Sequence, residues 1–352
     1  PMLVGFIQRI DDKYQSTRLI RLFVKERWTI CFLVALFTSL VLLFYSLFAP
    51  TNNNDFGRFN PFIDNSLPFL LLIVCFCLIV CLFVVCWLIY VYHDPIRLQE
   101  RLLHSTISME KRNAWLEFFV AMLKKNNTDV LRRGYQAFYE WGTDMQKGKT
   151  NQMVEYSFDF YDGIITINET LCEQNKKPIT IANGSDFITI LLDKMQGTII
   201  APKTFSVIWI CLNQQLFYNR QEWVMNYWIT AHQYYLFNLP KYYENQKEIN
   251  LDGSSFLITQ EQVQLRDLER KDFFDFHIAL GGLLLYRKEY DLLKQIIYYS
   301  NSQPPQYVLI PGRFAEIYLL YMDLLSCFPI NNYESKYPFL NLQAGIRNEN
   351  II

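Results

Sequence analysis

Residues 28–49 read WTICFLVALFTSLVLLFYSLFA and residues 68–92 read PFLLLIVCFCLIVCLFVVCWLIYVY, and neither run contains Asp, Glu, Lys or Arg. At a rise of about 1.5 Å per residue, each run as a helix is long enough to cross a hydrocarbon layer about 30 Å thick. Only residues 50–67 separate them. A water-soluble core can absorb one such helix, but two in succession need an apolar surround that the rest of the sequence does not supply. The pattern predicts a transmembrane hairpin.

The flanks orient it. Arg9, Lys13, Arg18, Arg21, Lys25 and Arg27 precede the first run, and Arg97, Arg101, Lys111 and Arg112 follow the second. The loop between them has one cation, Arg58, beside Asp55 and Asp64. The positive-inside bias then puts both termini in the cytoplasm, and a bacterial inner membrane is the expected location. Trp28, Tyr45, Trp87, Tyr90 and Tyr92 fall near the ends of the runs, where amphipathic rings prefer the interface.

At mid-membrane depth the runs hold no ionisable side chain, and polar groups there are limited to Thr38, Ser39 and cysteines. Ion coordination and proton relays need polar side chains facing a cavity, which argues against a two-helix transporter. Cys77 and Cys81 share a helical face and read as small apolar residues. Small residues that mediate close helix contact in lipid are scarce, so assembly is expected from the cytosolic portion.

Five of the eight cysteines lie in the runs, leaving Cys172, Cys211 and Cys327 isolated, and a disulfide-stapled exterior domain is not expected. A net charge of −1 offers no basic surface for nucleic acid. The aromatic content of 16% exceeds what the runs explain, which implies a large core, an exposed binding face, or both.

Before the first run, Arg18, Arg21 and Lys25 recur at helical spacing while Leu19, Ile20 and Phe23 point away from them. This predicts an amphipathic helix, lying either in the membrane surface or against the main domain. After His93-Asp94-Pro95 the pattern is helical nearly throughout. Helices are expected near 95–105, 109–125, 128–147, 151–175, 185–196, 202–218, 220–238, 260–286, 288–300 and 311–327. Thr259 and Gln262 have capping-box spacing. Period-two alternation is brief, at 179–181 and 256–258, and allows one small hairpin. The expected fold is all-α: an N-terminal helix over 1–27, a hairpin over 28–93 and a cytosolic helical domain over 94–352.

Residues 276–305, FHIALGGLLLYRKEYDLLKQIIYYSNSQPP, resemble a single tetratricopeptide-type hairpin. Leu280-Gly281, Tyr290 and Pro305 fall at that family's Leu-Gly pair, inter-helix aromatic and closing proline, whereas Leu293 and Ser300 replace its alanines. The resemblance implies stacked helical hairpins with a face that binds protein segments. The dipeptides Glu155-Tyr156, Glu222-Trp223 and Glu289-Tyr290 recur every 67 residues, which chance explains better than a repeat.

No phosphate-loop, dinucleotide, serine-hydrolase or zinc-protease motif occurs, so no catalytic residue, cofactor or metal is assigned. Of four histidines, only His277 stands in a local cluster of ionisable residues, with Asp272 and Asp275 beside Arg270 and Lys271, and helical geometry turns it about 200° from Asp275. Glu155, Asp159 and Asp162 form an acidic stripe at helical spacing; with Trp223 and Tyr290 they are the candidate partner-binding residues. The sequence predicts a membrane-anchored helical scaffold that docks protein partners within a larger assembly such as a secretion or envelope machine, with self-association a further expectation. The alternatives are a membrane-perturbing effector of a stress or anti-phage system and a membrane-surface enzyme.

Overall fold

The computed structural model describes residues 2–48, 61–104, 109–149, 152–176, 187–192, 198–239, 241, 243–249 and 255–326. Among these residues the fold is all-α, with thirteen helices and four strands of two or three residues. Two compact units divide between Leu131 and Arg132.

The first unit holds α1 (Met2–Tyr14), α2 (Thr17–Lys25), α3 (Arg27–Phe48), α4 (Pro61–His93), α5 (Pro95–His104) and α6 (Met109–Lys125); α7 (Thr128–Gln146) begins at its end. The two apolar runs are α3 and α4. The second helix starts at Pro61 rather than Pro68, since proline at the first helical position loses no hydrogen bond. Phe32 meets Cys81 and Val85 between them, with Leu78 and Ile89 packed alongside.

Ser16 caps α2 by accepting from the Leu19 amide at 3.1 Å. It also donates to Glu117 Oε2 at 2.5 Å, and Arg18 pairs with the same carboxylate at 3.1 Å. Leu19 and Phe23, one turn apart, are fully buried, Phe23 between the rings of Phe6 and Tyr92. The apolar face of this amphipathic helix is therefore covered by protein.

The second unit contains α8 (Phe158–Gln174), α9 (Pro202–Phe217), α10 (Gln221–Phe237), α11 (Gln260–Tyr286), α12 (Tyr290–Asn301) and α13 (Phe314–Ser326). Three expected boundaries moved. Residues 152–157 are not helical: β1 (Met153–Val154) pairs in parallel with β2 (Ile199–Ile200), and a distant partner outweighs local helical spacing. Within 185–196, the described part is a 3₁₀ turn at Phe187–Leu191. The last helix begins at Phe314, beyond Pro311-Gly312. The alternation at 256–258 is β4 (Ser255–Leu257), paired antiparallel with β3 (Lys247–Ile249). That at 179–181 lies outside the described residues.

The capping box forms as its spacing predicts: Gln262 N donates to Thr259 Oγ1 at 3.3 Å and Thr259 N to Gln262 Oε1 at 3.0 Å. Two helical hairpins, α9/α10 and α11/α12, turn through 218–220 and 287–289, each with a left-handed middle residue, Asn219 at φ 57° and Lys288 at φ 61°. Ile200 meets Glu269, Phe205 meets Phe273 and Phe276, and Trp209 meets Phe276, so the contacts advance together and α9 runs parallel to α11. Gln221 meets Glu289 and His232 meets Ser300, so α10 runs parallel to α12. The hairpins stack first helix on first and second on second. Of the recurring glutamates, Glu222 lies in the first turn of α10 and Glu289 is the N-cap of α12, where the helix dipole favours a carboxylate without any repeat, whereas Glu155 stands ahead of the Ser157 N-cap of α8.

Candidate functional site

The most distinctive surface is the hairpin. Of the apolar windows in α3 and α4, only 11% and 17% are buried, so Phe37, Phe44, Phe76 and Phe83 point outward. Both helices are long and apolar enough to cross a membrane. A helix serving as a soluble core would show the reverse. Thr38 Oγ1 donates to Val34 O and Ser39 Oγ to Leu36 O, both at 2.8 Å, so both hydroxyls are satisfied within their own helix.

Helix α1 latches the end of α4. A helix leaves its last carbonyls unpaired, and here side chains reach them: Tyr14 Oη donates to Tyr92 O at 3.0 Å and Lys13 Nζ to His93 O at 2.5 Å. A cation suits this negative end of the helix dipole. Lys125 Nζ in turn donates to Lys13 O. Burial pushes the Tyr14 hydroxyl up and, with Lys125 nearby, the Lys13 ammonium down. Tyr14→Phe is expected to cost about 1–2 kcal/mol by orphaning a buried carbonyl, read as a lower urea midpoint with unchanged secondary structure.

The predicted partner-binding residues do not form one surface. Glu155 precedes α8 and pairs with Lys203 of α9 at 3.4 Å, so it is not in helical register with Asp159 and Asp162. Those two share a face of α8, Asp162 exposed and Asp159 half-buried. Trp223 is a core residue, 4% exposed, because α10 is apolar around most of its circumference. Tyr290 is exposed and stacks on Phe314 at 6.0 Å. The large exposed rings lie elsewhere, including Phe237 at 74% and Tyr298 at 83%.

Inside the two hairpins lies a polar chain that no local motif marks. His277 Nδ1 lies 2.7 Å from Phe273 O, which can only accept, so Nδ1 carries the proton and Nε2 accepts from Tyr227 Oη at 3.3 Å. By the same logic His232 Nδ1 donates to Trp228 O at 3.3 Å. Its Nε2 accepts from Ser300 Oγ at 3.0 Å, and Ser300 Oγ accepts from Trp228 Nε1 at 3.4 Å. Desolvation holds His232 down at about 4 and His277 at about 3, both neutral at pH 7. Full burial keeps Ser300 and both rings from substrate and solvent, so the chain specifies packing rather than chemistry. Asp272 and Asp275 are half-buried on another side of α11. Among the described residues, no three His, Cys, Asp or Glu side chains converge on a metal position.

No protein-family model, no curated protein and no solved structure matches this chain.

Proposed function

We propose that this protein is a membrane-anchored helical scaffold, held by the α3/α4 hairpin, whose second unit docks other proteins at the bilayer surface. The outward-facing apolar side chains of both long helices carry the reading. Cations concentrated before α3 and after α4 support a cytoplasmic membrane with both ends on the inner face. Aromatic side chains standing in solvent on the stacked hairpins, Phe237 and Tyr298 foremost, support docking, since buried aromatic anchors dominate protein interfaces. A subunit of a secretion or envelope machine is the kind of assembly this layout suits.

The anchor is tested by washing membranes at alkaline pH: the chain is expected to stay in the pellet, and release into the wash overturns it. A photo-crosslinking residue at Tyr298 is expected to capture a protein partner in cells. Strictly monomeric material in mild detergent, with no crosslinked product, rejects the scaffold. Collapse of membrane potential on expression would move the function to the bilayer itself.

A further inference from the structure

Helix α5 does not continue the line of α4. Arg101 follows Trp87 by 14 positions, about 21 Å along an unbroken helix, yet its guanidinium carbon lies 5.7 Å from the Trp87 ring centroid. Arg97 likewise sits 4.5 Å over the Tyr90 ring. The chain turns back at Asp94-Pro95, and α5 lies beside the last turns of α4, its Leu98 and Leu102 buried. Trp87, Tyr90 and Trp28 keep exposed rings at this end of the hairpin.

We propose that this belt binds the phosphate headgroups of anionic phospholipids, with Arg27, Arg97 and Arg101 as the contacts. The proposal rests on the membrane-spanning reading: in a spanning hairpin, exposed Trp and Tyr rings mark the boundary between hydrocarbon and headgroups, and the fold-back brings both arginines of α5 to that depth. Arg27 is exposed, adjoins Trp28 and has no ionic partner among the described residues. Arg101 commits Nε and Nη2 to Glu26 Oε1, at 3.3 and 3.0 Å, which fixes the side chain and leaves Nη1 available. Arg97 is half-exposed and held near Asp94 at 3.3 Å. Segments 17–27 and 94–112 together carry eight Lys or Arg against four Asp or Glu, so the belt complements an anionic surface. Guanidinium groups suit phosphate oxygens because they present several donors in one plane.

The test is thermal unfolding of the full-length protein in mild detergent, with phosphatidylglycerol, phosphatidylcholine or inorganic phosphate titrated in. Phosphatidylglycerol is expected to raise the midpoint well above phosphatidylcholine, and inorganic phosphate at the same concentration to leave it unmoved. The double variant Arg27→Gln/Arg97→Gln is expected to halve the phosphatidylglycerol response while melting normally without lipid, and Arg27→Lys/Arg97→Lys to restore most of it. Equal responses to the two lipids, an equal response to inorganic phosphate, or an undiminished response in the Gln variant overturns the proposal. Release of the chain by alkaline wash would instead overturn the spanning reading; a chain that stays in the pellet but shows no lipid preference loses only the headgroup site.

Discussion

Acidification from pH 7 to pH 5 is expected to remove about 4 kcal/mol from the stability of the second unit. The cause is the pair of buried imidazoles. Unfolded, His232 and His277 titrate at the ordinary value near 6.5; folded, desolvation holds them at about 4 and about 3. Below pH 6.5 the unfolded chain takes up protons that the folded chain refuses, so stability is complete above 6.5 and falls as pH drops toward 4 and 3. At pH 5 the unfolded state is favoured by about 1.5 pH units per histidine, or about 2 kcal/mol each. Typical domain stabilities are about 5–15 kcal/mol, so the loss is a large share of the whole. Trp209, Trp223 and Trp228 lie buried in this unit and report its unfolding by fluorescence. The urea midpoint should fall steeply between pH 6.5 and 5, and the double variant His232→Gln/His277→Gln should flatten that slope whatever its absolute stability. Carboxylates titrating in the same window persist in the variant and are subtracted by the comparison. An unchanged slope would show that both rings can charge without leaving the core.

The hairpin and most helix ends were legible because each depends on local chemistry: absence of charge over more than twenty residues, helical spacing of apolar side chains, and the Thr259–Gln262 cap. What could not be read depends on partners far away in sequence. Helix α8 begins at Phe158 because Met153–Val154 finds a strand partner at Ile199–Ile200, and that moved Glu155 off the acidic stripe. Trp223 became core because α10 packs between α9 and α12, and a helix apolar on most sides does not announce which side stays wet. Ser300, a polar residue at a fully buried position of α12, is satisfied by His232 and Trp228, 68 and 72 positions earlier. The signal for it in the sequence is a serine at a core-facing position, which a buried histidine or indole must satisfy. Arg97 and Arg101 were visible only as flanking charge until the turn at Asp94-Pro95 placed them over Tyr90 and Trp87.

Gly282→Leu is expected to cost about 3 kcal/mol, at the upper end of what overpacking a closed contact imposes, and to free α13 from α11. Gly281 and Gly282 sit inside α11, where glycine by itself costs about 1 kcal/mol relative to alanine. Packing explains their presence. A Cβ on Gly281 would lie 2.6 Å from Ile310 Cδ1 and 3.1 Å from Ile317 Cγ2. One on Gly282 would lie 2.3 Å from Cγ and Cδ2 of Tyr321. The isoleucine tip can swing aside, but the tyrosine contact is at the root of the ring, so relief there requires α13 itself to move. The glycine pair of α11 thus serves the approach of a later helix, α13. A double-mutant cycle separates this clash from general helix damage: Gly282→Ala should destabilise the wild-type background, and in a Tyr321→Ala background it should become neutral or stabilising, because the propensity gain remains and the ring is gone. Hydrogen exchange should show the α13 amides losing protection in Gly282→Leu while α9 and α10 retain theirs. If alanine at 282 is equally costly in both backgrounds, the close approach of α13 is not what the glycine provides.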